Sequence, residues 1–170
     1  MKNVLIVVDM QNDFVNGTLG SPEAQAIVPT IQKKIDTFLK NGDTVIFTRD
    51  THRANYLNTN EGKHLPIEHC INGTKGWIVI DELNHPECQT INKGSFGFTY
   101  WDDYLSTDIE YIELAGVCTD ICVVSNALIL KALYPEATIA VDAGACAGAS
   151  VQRHVAALEV MESCQIEVIY

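Results

Sequence analysis

Five consecutive apolar, mostly β-branched residues, Val4-Leu5-Ile6-Val7-Val8, end abruptly at Asp9. A run this short and unbroken is expected of a strand covered on both faces. Related runs recur at Thr44–Thr48, Tyr111–Ala115, Thr138–Val141 and Ile166–Tyr170. Helical patterns alternate with them. Pro29 suits a first helical turn, Ile31, Ile35, Phe38 and Leu39 share one face, and Asn41-Gly42 offers a left-handed stop. A second helix is expected from Asp120 to Leu133, ended by Tyr134-Pro135, and a third from a Ser150 cap, carrying Val151, Val155, Leu158 and Met161. Strands alternating with helices imply right-handed crossovers and a three-layer α/β/α architecture, Rossmann-like, with a mostly parallel central sheet. Residues 50–92 hold little periodicity and many turn formers, as expected of a long functional loop region with short elements. No repeat or linker divides the sequence, so residues 1–170 are expected to form a single domain.

Composition narrows the function classes. The chain carries 11 Lys+Arg against 22 Asp+Glu, a formal net charge of −11, which argues against a nucleic-acid partner or an anionic membrane surface. No apolar run approaches the roughly 20 residues that span a bilayer. The opening run reaches Asp9 too soon for a signal-peptide core, so a cytoplasmic location is expected. Six cysteines, at 70, 88, 118, 122, 146 and 164, accompany 47% hydrophobic residues. A chain with that much core material has no need of a disulfide framework, and free thiols are expected.

In open parallel sheets ligands bind beyond the carboxyl ends of the strands. The first strand is followed by Asp9, Gln11, Asn12, Asp13 and Phe14, and the second by Arg49, Asp50, Thr51 and His52. The third is followed by Gly116-Val117-Cys118-Thr119-Asp120-Ile121-Cys122, opening directly into a helix. Cys122 falls in the first turn, where the partial positive charge favours a thiolate and free N–H groups suit an oxyanion. Spacing alone leaves Cys122 open between a nucleophile and a buried structural thiol, with Asp9 and Lys93 as candidate proton acceptor and cation.

Val8-Asp9-Met10-Gln11-Asn12-Asp13-Phe14 resembles the opening motif of the isochorismatase-like cysteine hydrolases, and Gly116 to Val123 resembles their nucleophile segment. Asn92-Lys93-Gly94-Ser95-Phe96 matches the position of the lysine of that superfamily, and Asp142-Ala143 and His154-x-x-Ala157-Leu158 extend the likeness. The resemblance implies a catalytic triad of Asp9, Lys93 and Cys122. Asp9 would accept the thiol proton and pass it to leaving ammonia, Lys93 would help lower the thiol pKa, and Cys122 would form a thioester. It also implies a cis peptide between Val117 and Cys118, with the N–H groups of Cys118 and Cys122 as an oxyanion site.

Asp50-Thr51-His52 is a D-x-H pair, weak by itself and equally compatible with an ordinary loop. However, Pro66 to Thr74, containing His69-Cys70, resembles the second metal segment of the nicotinamidase-like branch. The likeness implies that Asp50, His52 and His69 hold one divalent metal ion, a donor set suiting Zn, Mn or Fe. Phe14 and Phe96 are the expected substrate-contacting rings. Leu65 stands where that branch commonly has an aromatic, Glu68 beside His69 is unusual, and the segment after Lys93 is short. The leading expectation is a metal-assisted amidohydrolase acting on a small-molecule amide, nicotinamide, as a homo-oligomer. Two alternatives stay open: a metal-independent amidase for carbamoyl, ureido or other small amides, and a catalytically silent binding or assembly protein on the same fold. His154 is expected to be a hydrogen-bonded structural histidine.

Overall fold

The computed structural model describes residues 2–170. Six strands form one sheet: β1 (Asn3–Val8), β2 (Thr44–Asp50), β3 (Gln89–Lys93), β4 (Tyr111–Val117), β5 (Thr138–Ala147) and β6 (Glu167–Ile169). Their order is β3-β2-β1-β4-β5-β6, and every pairing is parallel. β1 therefore lies between β2 and β4, and the order reverses there. This is the switch point at which a crevice opens above the strand ends.

The pleat of β1 divides the core. Val4, Ile6 and Val8 point to one layer, with Leu130, Leu158 and Met161. Leu5 and Val7 point to the other, with Ile31, Ile35 and Val45. All five residues of the opening run are fully buried, as a strand covered on both faces requires. α3 (Val28–Lys40) covers one face, its Ile31 and Ile35 one turn apart on the sheet side. α5 (Val124–Leu133) and α6 (Val151–Ser163) cover the other. Gly42, at φ +77°, ends the α3 connection in the left-handed conformation that glycine adopts without a Cβ clash. Shorter helices α1 (Asn12–Val15), α2 (Pro22–Ala26) and α4 (Asn60–His64) lie in the connections at the crevice.

Three elements differ from the sequence reading. The region from 50 to 92 ends in β3, an edge strand whose Gln89, Thr90 and Asn92 are exposed, so its apolar signal is almost confined to Ile91. The helix expected from Asp120 begins instead as a π turn, Thr119–Val123, before α5. β5 also runs six residues beyond Val141. Its register against β4 shifts between Leu114↔Val141 and Gly116↔Cys146, so residues 143–145 bulge out. Asp142 Oδ1 accepts the N–H groups of Gly144 (2.8 Å) and Ala145 (3.1 Å) and holds that bulge. Beyond it, Ala147 and Gly148 reach the crevice wall.

Candidate active site

The carboxyl ends of β1, β3 and β4 bring three side chains together. Asp9 follows β1 with φ +50°, a left-handed conformation uncommon for a non-glycine residue. Lys93 ends β3, and Cys122 lies in the π turn after β4. Lys93 Nζ is 2.6 Å from Asp9 Oδ2 and donates to Cys122 Sγ at 3.5 Å. All three are buried, at 0%, 2% and 5% exposure. A lysine this deep needs partners for its charge, and it also donates to the Ser95 carbonyl at 3.2 Å. Thr48 Oγ1 donates to Asp9 Oδ1 at 2.7 Å and accepts from the Asp9 N–H at 3.2 Å, fixing the carboxyl from β2.

Burial is the largest influence on Asp9 and raises its pKa, with the Lys93 ammonium opposing it. Burial likewise works against the charge of Lys93, but Asp9, Cys122 and Asp50 outweigh it and hold the lysine protonated. Burial, reinforced by Asp9, pushes the Cys122 thiol well above its ordinary value despite Lys93. Lys93 does act to lower it, as expected, but burial and Asp9 outweigh the lysine. These directions favour a protonated thiol beside the Lys93 ammonium and the Asp9 carboxyl.

The peptide between Val117 and Cys118 is cis. The Cys118 thiol is pushed up to about 12, chiefly by burial, whereas the Cys122 thiol accepts a hydrogen bond from Lys93. Asn126, fully buried on α5, fixes the nucleophile turn. Its Nδ2 donates to the carbonyls of Cys122 (2.8 Å) and Phe96 (3.1 Å), and its Oδ1 accepts from the Phe98 N–H (2.9 Å) and Trp101 Nε1 (3.2 Å). Nothing in the sequence spacing separates this asparagine from a surface one.

A second cluster adjoins the first. Asp50, His52, Glu61 and His69 present one donor atom each, all within 4.8 Å of one another. His52 Nε2 lies 2.9 Å from Asp50 Oδ2 and 3.5 Å from Glu61 Oε1; His69 Nε2 lies 3.6 Å and 3.9 Å from the same oxygens. His69 Nδ1 donates to the Ile67 carbonyl at 2.8 Å, which turns Nε2 toward the cluster. Asp13 Oδ2 accepts the Cys70 N–H at 2.8 Å and secures the loop behind His69. Gln11 clasps the other side: its Oε1 accepts the Asp50 N–H (2.7 Å) and its Nε2 donates to the Asp50 carbonyl (2.8 Å).

Burial alone would favour a neutral Asp50, but hydrogen bonds from His52 and His69 and the charge of Lys93 hold its carboxylate far below the usual range. Its Oδ1 is buried without a hydrogen bond, and its nearest cation is Lys93 Nζ at 3.8 Å. Two carboxylates, two imidazoles and an orphaned carboxylate oxygen fit a divalent cation. Glu61 is the member that sequence reading missed. It sits in the first turn of α4 behind the Thr59 cap, where an acidic residue is unremarkable.

Both clusters border one cavity of about 440 Å³, whose wall includes Phe14, Phe96, Leu65, Cys118 and Ile121. Phe14 is half-buried with its ring 5.5 Å from that of His69, and Phe96 is 44% exposed at the mouth. Leu65 lines the wall and its carbonyl accepts Tyr56 Oη at 2.9 Å. His64 is exposed at the rim, its Nδ1 2.9 Å from the Asn60 carbonyl. Glu68 is exposed and does not line the cavity. His154 Nδ1 lies 2.8 Å from Thr119 Oγ1, tying α6 to the nucleophile turn.

A family model described as the isochorismatase domain matches residues 3–170. A nicotinamidase of Schizosaccharomyces pombe is 30% identical over 205 aligned residues, covering 97% of this chain and 91% of that protein. Among solved structures, the nicotinamidase/pyrazinamidase PncA from Bacillus subtilis superimposes with a TM-score of 0.86 at 29% identity, covering 100% of both chains. The pyrazinamidase of Pyrococcus horikoshii in complex with zinc gives a TM-score of 0.85 at 27% identity and 99% coverage of both.

Proposed function

This chain belongs to the isochorismatase family, and from that premise we propose that it is a metal-assisted cysteine amidohydrolase converting nicotinamide to nicotinate and ammonia. It is a hydrolase of amide C–N bonds. The observation that carries the finer reading is the joining of two clusters in one cavity: Asp9, Lys93 and Cys122 beside Asp50, His52, Glu61 and His69.

Cys122 Sγ adds to the carboxamide carbon while its proton passes to Asp9. Asp9 suits this role because burial raises its pKa and lets it release the proton again. Lys93 stabilises the charge that develops on sulfur and carboxylate in turn. The N–H groups of Cys118 and Cys122 face the oxyanion, as donors at the start of a helical turn can. Asp9 then delivers its proton to the nitrogen, the C–N bond breaks, and ammonia leaves behind a thioester. Water adds to the thioester with Asp9 again taking a proton, and the acid and the thiol are regenerated.

Asp50, His52, Glu61 and His69 would hold one divalent ion, Zn, Mn or Fe, which supplies a Lewis-acidic anchor for a ring nitrogen. Phe14 and Phe96 offer faces for a flat ring. The same reading places the protein in the cytoplasm, because the nucleophile must stay a free thiol, and as a homo-oligomer. The exposed Val151 and Val155 of α6 suit such an assembly.

The test is ammonia release from nicotinamide by metal-loaded protein, with metal content and sedimentation measured alongside. Cys122→Ala abolishes release, and Asp9→Asn and Lys93→Ala lower kcat by about a hundredfold or more. No turnover of nicotinamide at any pH sinks the assignment. Full turnover of a ureido or carbamoyl compound by a His52→Ala, His69→Ala double variant supports the metal-independent alternative instead.

A further inference from the structure

The cavity has one feature that hydrolysis of an unsubstituted nicotinamide leaves unused. Arg153 lines it, and no other lysine or arginine does. In a chain with 11 basic and 22 acidic residues, a cation facing the pocket is an uneven allocation of scarce positive charge. Among the described residues its guanidinium enters no ion pair, side-chain hydrogen bond or ring stack. Arg49, by contrast, lies 3.7 Å over Trp77 and donates to Asn92 Oδ1 at 2.9 Å.

The local position is also unfavourable. Arg153 is the third residue of α6, after the Ser150 cap, and the first turn contains no acidic residue. A cation there opposes the helix dipole, so helix stability does not account for the residue. Sheet order fixes where the charge lies. The donor cluster follows β2, Cys122 follows β4 and Arg153 follows β5, in the order β2-β1-β4-β5. Three strand spacings, about 14 Å, separate the outer two positions. Between them the wall is apolar, with Leu19, Ala24, Val117, Ile121 and Ala147. The cavity thus has the donor cluster at one side, an apolar middle and a cation at the other. Its volume, about 440 Å³, lies in the range that holds ligands larger than one substituted ring.

We infer that Arg153 is a specificity-determining residue that selects aromatic carboxamides bearing a second, carboxylate substituent. This rests on the amidohydrolase reading above and deepens it. The carboxylate pairs with the guanidinium while Cys122 attacks the carboxamide. In the partly desolvated mouth that contact is charge-assisted and bidentate.

The experiment compares nicotinamides carrying one ring carboxylate with their methyl esters, on wild-type protein, Arg153→Ala and Arg153→Lys. Wild type favours at least one acid over its ester by about tenfold in kcat/KM, expressed in KM. Arg153→Ala abolishes that preference, and Arg153→Lys restores part of it. Arg153 is exposed, so folding is not at issue. Binding of the same acids and esters to the Cys122→Ser protein separates the two readings. If the wild-type protein turns over no amide, the amidohydrolase reading fails while binding still reports on Arg153. Equal affinity for acid and ester, or a preference that survives Arg153→Ala, overturns the inference.

Discussion

The Cys122 thiol shows how position in the fold changes the chemistry of a residue. The first turn of a helix and a nearby lysine both favour a thiolate, yet burial and the adjacent carboxylate of Asp9 win. On the proposed mechanism the proton would stay on sulfur until an acceptor and an electrophile are both in place. Asp9→Asn is therefore expected to ease ionisation of the thiol yet abolish turnover, because the base that carries the proton to the leaving nitrogen is gone. Alkylation of Cys122 by a small haloacetamide, followed by mass spectrometry, should be at least as fast in that variant as in wild type while ammonia release is lost, and slower alkylation would sink the argument. Glu61 makes a second case. It completes the donor cluster at 3.5 Å from His52 Nε2. Glu61→Gln should lower retained metal after dialysis, measured by elemental analysis, with secondary structure unchanged. Asp9, Asp50, His52 and Cys122 stand at or beyond the ends of β1, β2 and β4, which hydrophobic runs mark well, whereas Lys93 and His69 are placed in the site only by the motif resemblance. Thr48, Asn126 and Glu61 contribute through contacts distant in sequence, and no local pattern distinguishes them from ordinary polar residues.

Elements were legible in proportion to how many of their faces are buried. β1, β4 and most of β2 are covered on both sides and appear as apolar runs, interrupted in β4 only by Glu113. β3 is an edge strand with exposed Gln89, Thr90 and Asn92, so it reads as loop although it delivers Lys93. The β5 bulge is equally silent, because it depends on Asp142 turning back to the backbone. Lys34 of α3 joins that device to the sheet, lying 2.7 Å from Glu113 Oε1 and 2.5 Å from Asp142 Oδ2. Glu113 Oε1 has no other partner at hydrogen-bond distance. Lys34→Met strands two largely buried carboxylates and should cost about 3 kcal/mol, more than a surface ion pair is worth. For a chain of this length that is a fall in Tm of roughly 6–12 °C. Adding Glu113→Gln should recover part of it, and no recovery would point to lost packing instead. α6 carries a pH-dependent tie. Burial lowers the pKa of His154 from 6.5, so the fold favours the neutral ring against Thr119. Its contribution is fully present above the unfolded value and is lost as pH falls through the lower folded one. Urea midpoints should drop as pH falls from above 6.5 through the lowered folded value, and less so in His154→Gln.

At the scale of the molecule the two halves of the sheet are held differently. On the α5 and α6 side, strands and helices pack through a continuous apolar core that includes Ile112, Leu114, Leu130 and Met161. On the other side, residues 51–88 carry only short helical turns, anchored by Ile80 and Leu83 in the second core and by hydrogen bonds such as those of Gln11 and Asp13. Two carboxylates of the donor cluster also gather there, in a chain of net charge −11. A divalent ion binding Asp50, His52, Glu61 and His69 would join the end of β2 to α4 and to the loop behind His69, and would relieve that charge. Because only the folded chain presents the four donors together, binding adds to stability by mass action. At a free metal concentration a thousandfold above Kd the gain is about 4 kcal/mol. That corresponds to a Tm rise of roughly 8–16 °C for a chain of this length. Chelation should lower Tm by that amount, and limited proteolysis of the chelated protein should cut between residues 53 and 88 while sparing the β4–β6 half. His52→Ala should melt at the chelated temperature with or without metal. Cys122→Ala, whose thiol is outside the donor cluster, should keep the full metal response. If chelation changes neither Tm nor the cleavage pattern, the four donors do not act as a metal site, and the two halves are held together by packing alone.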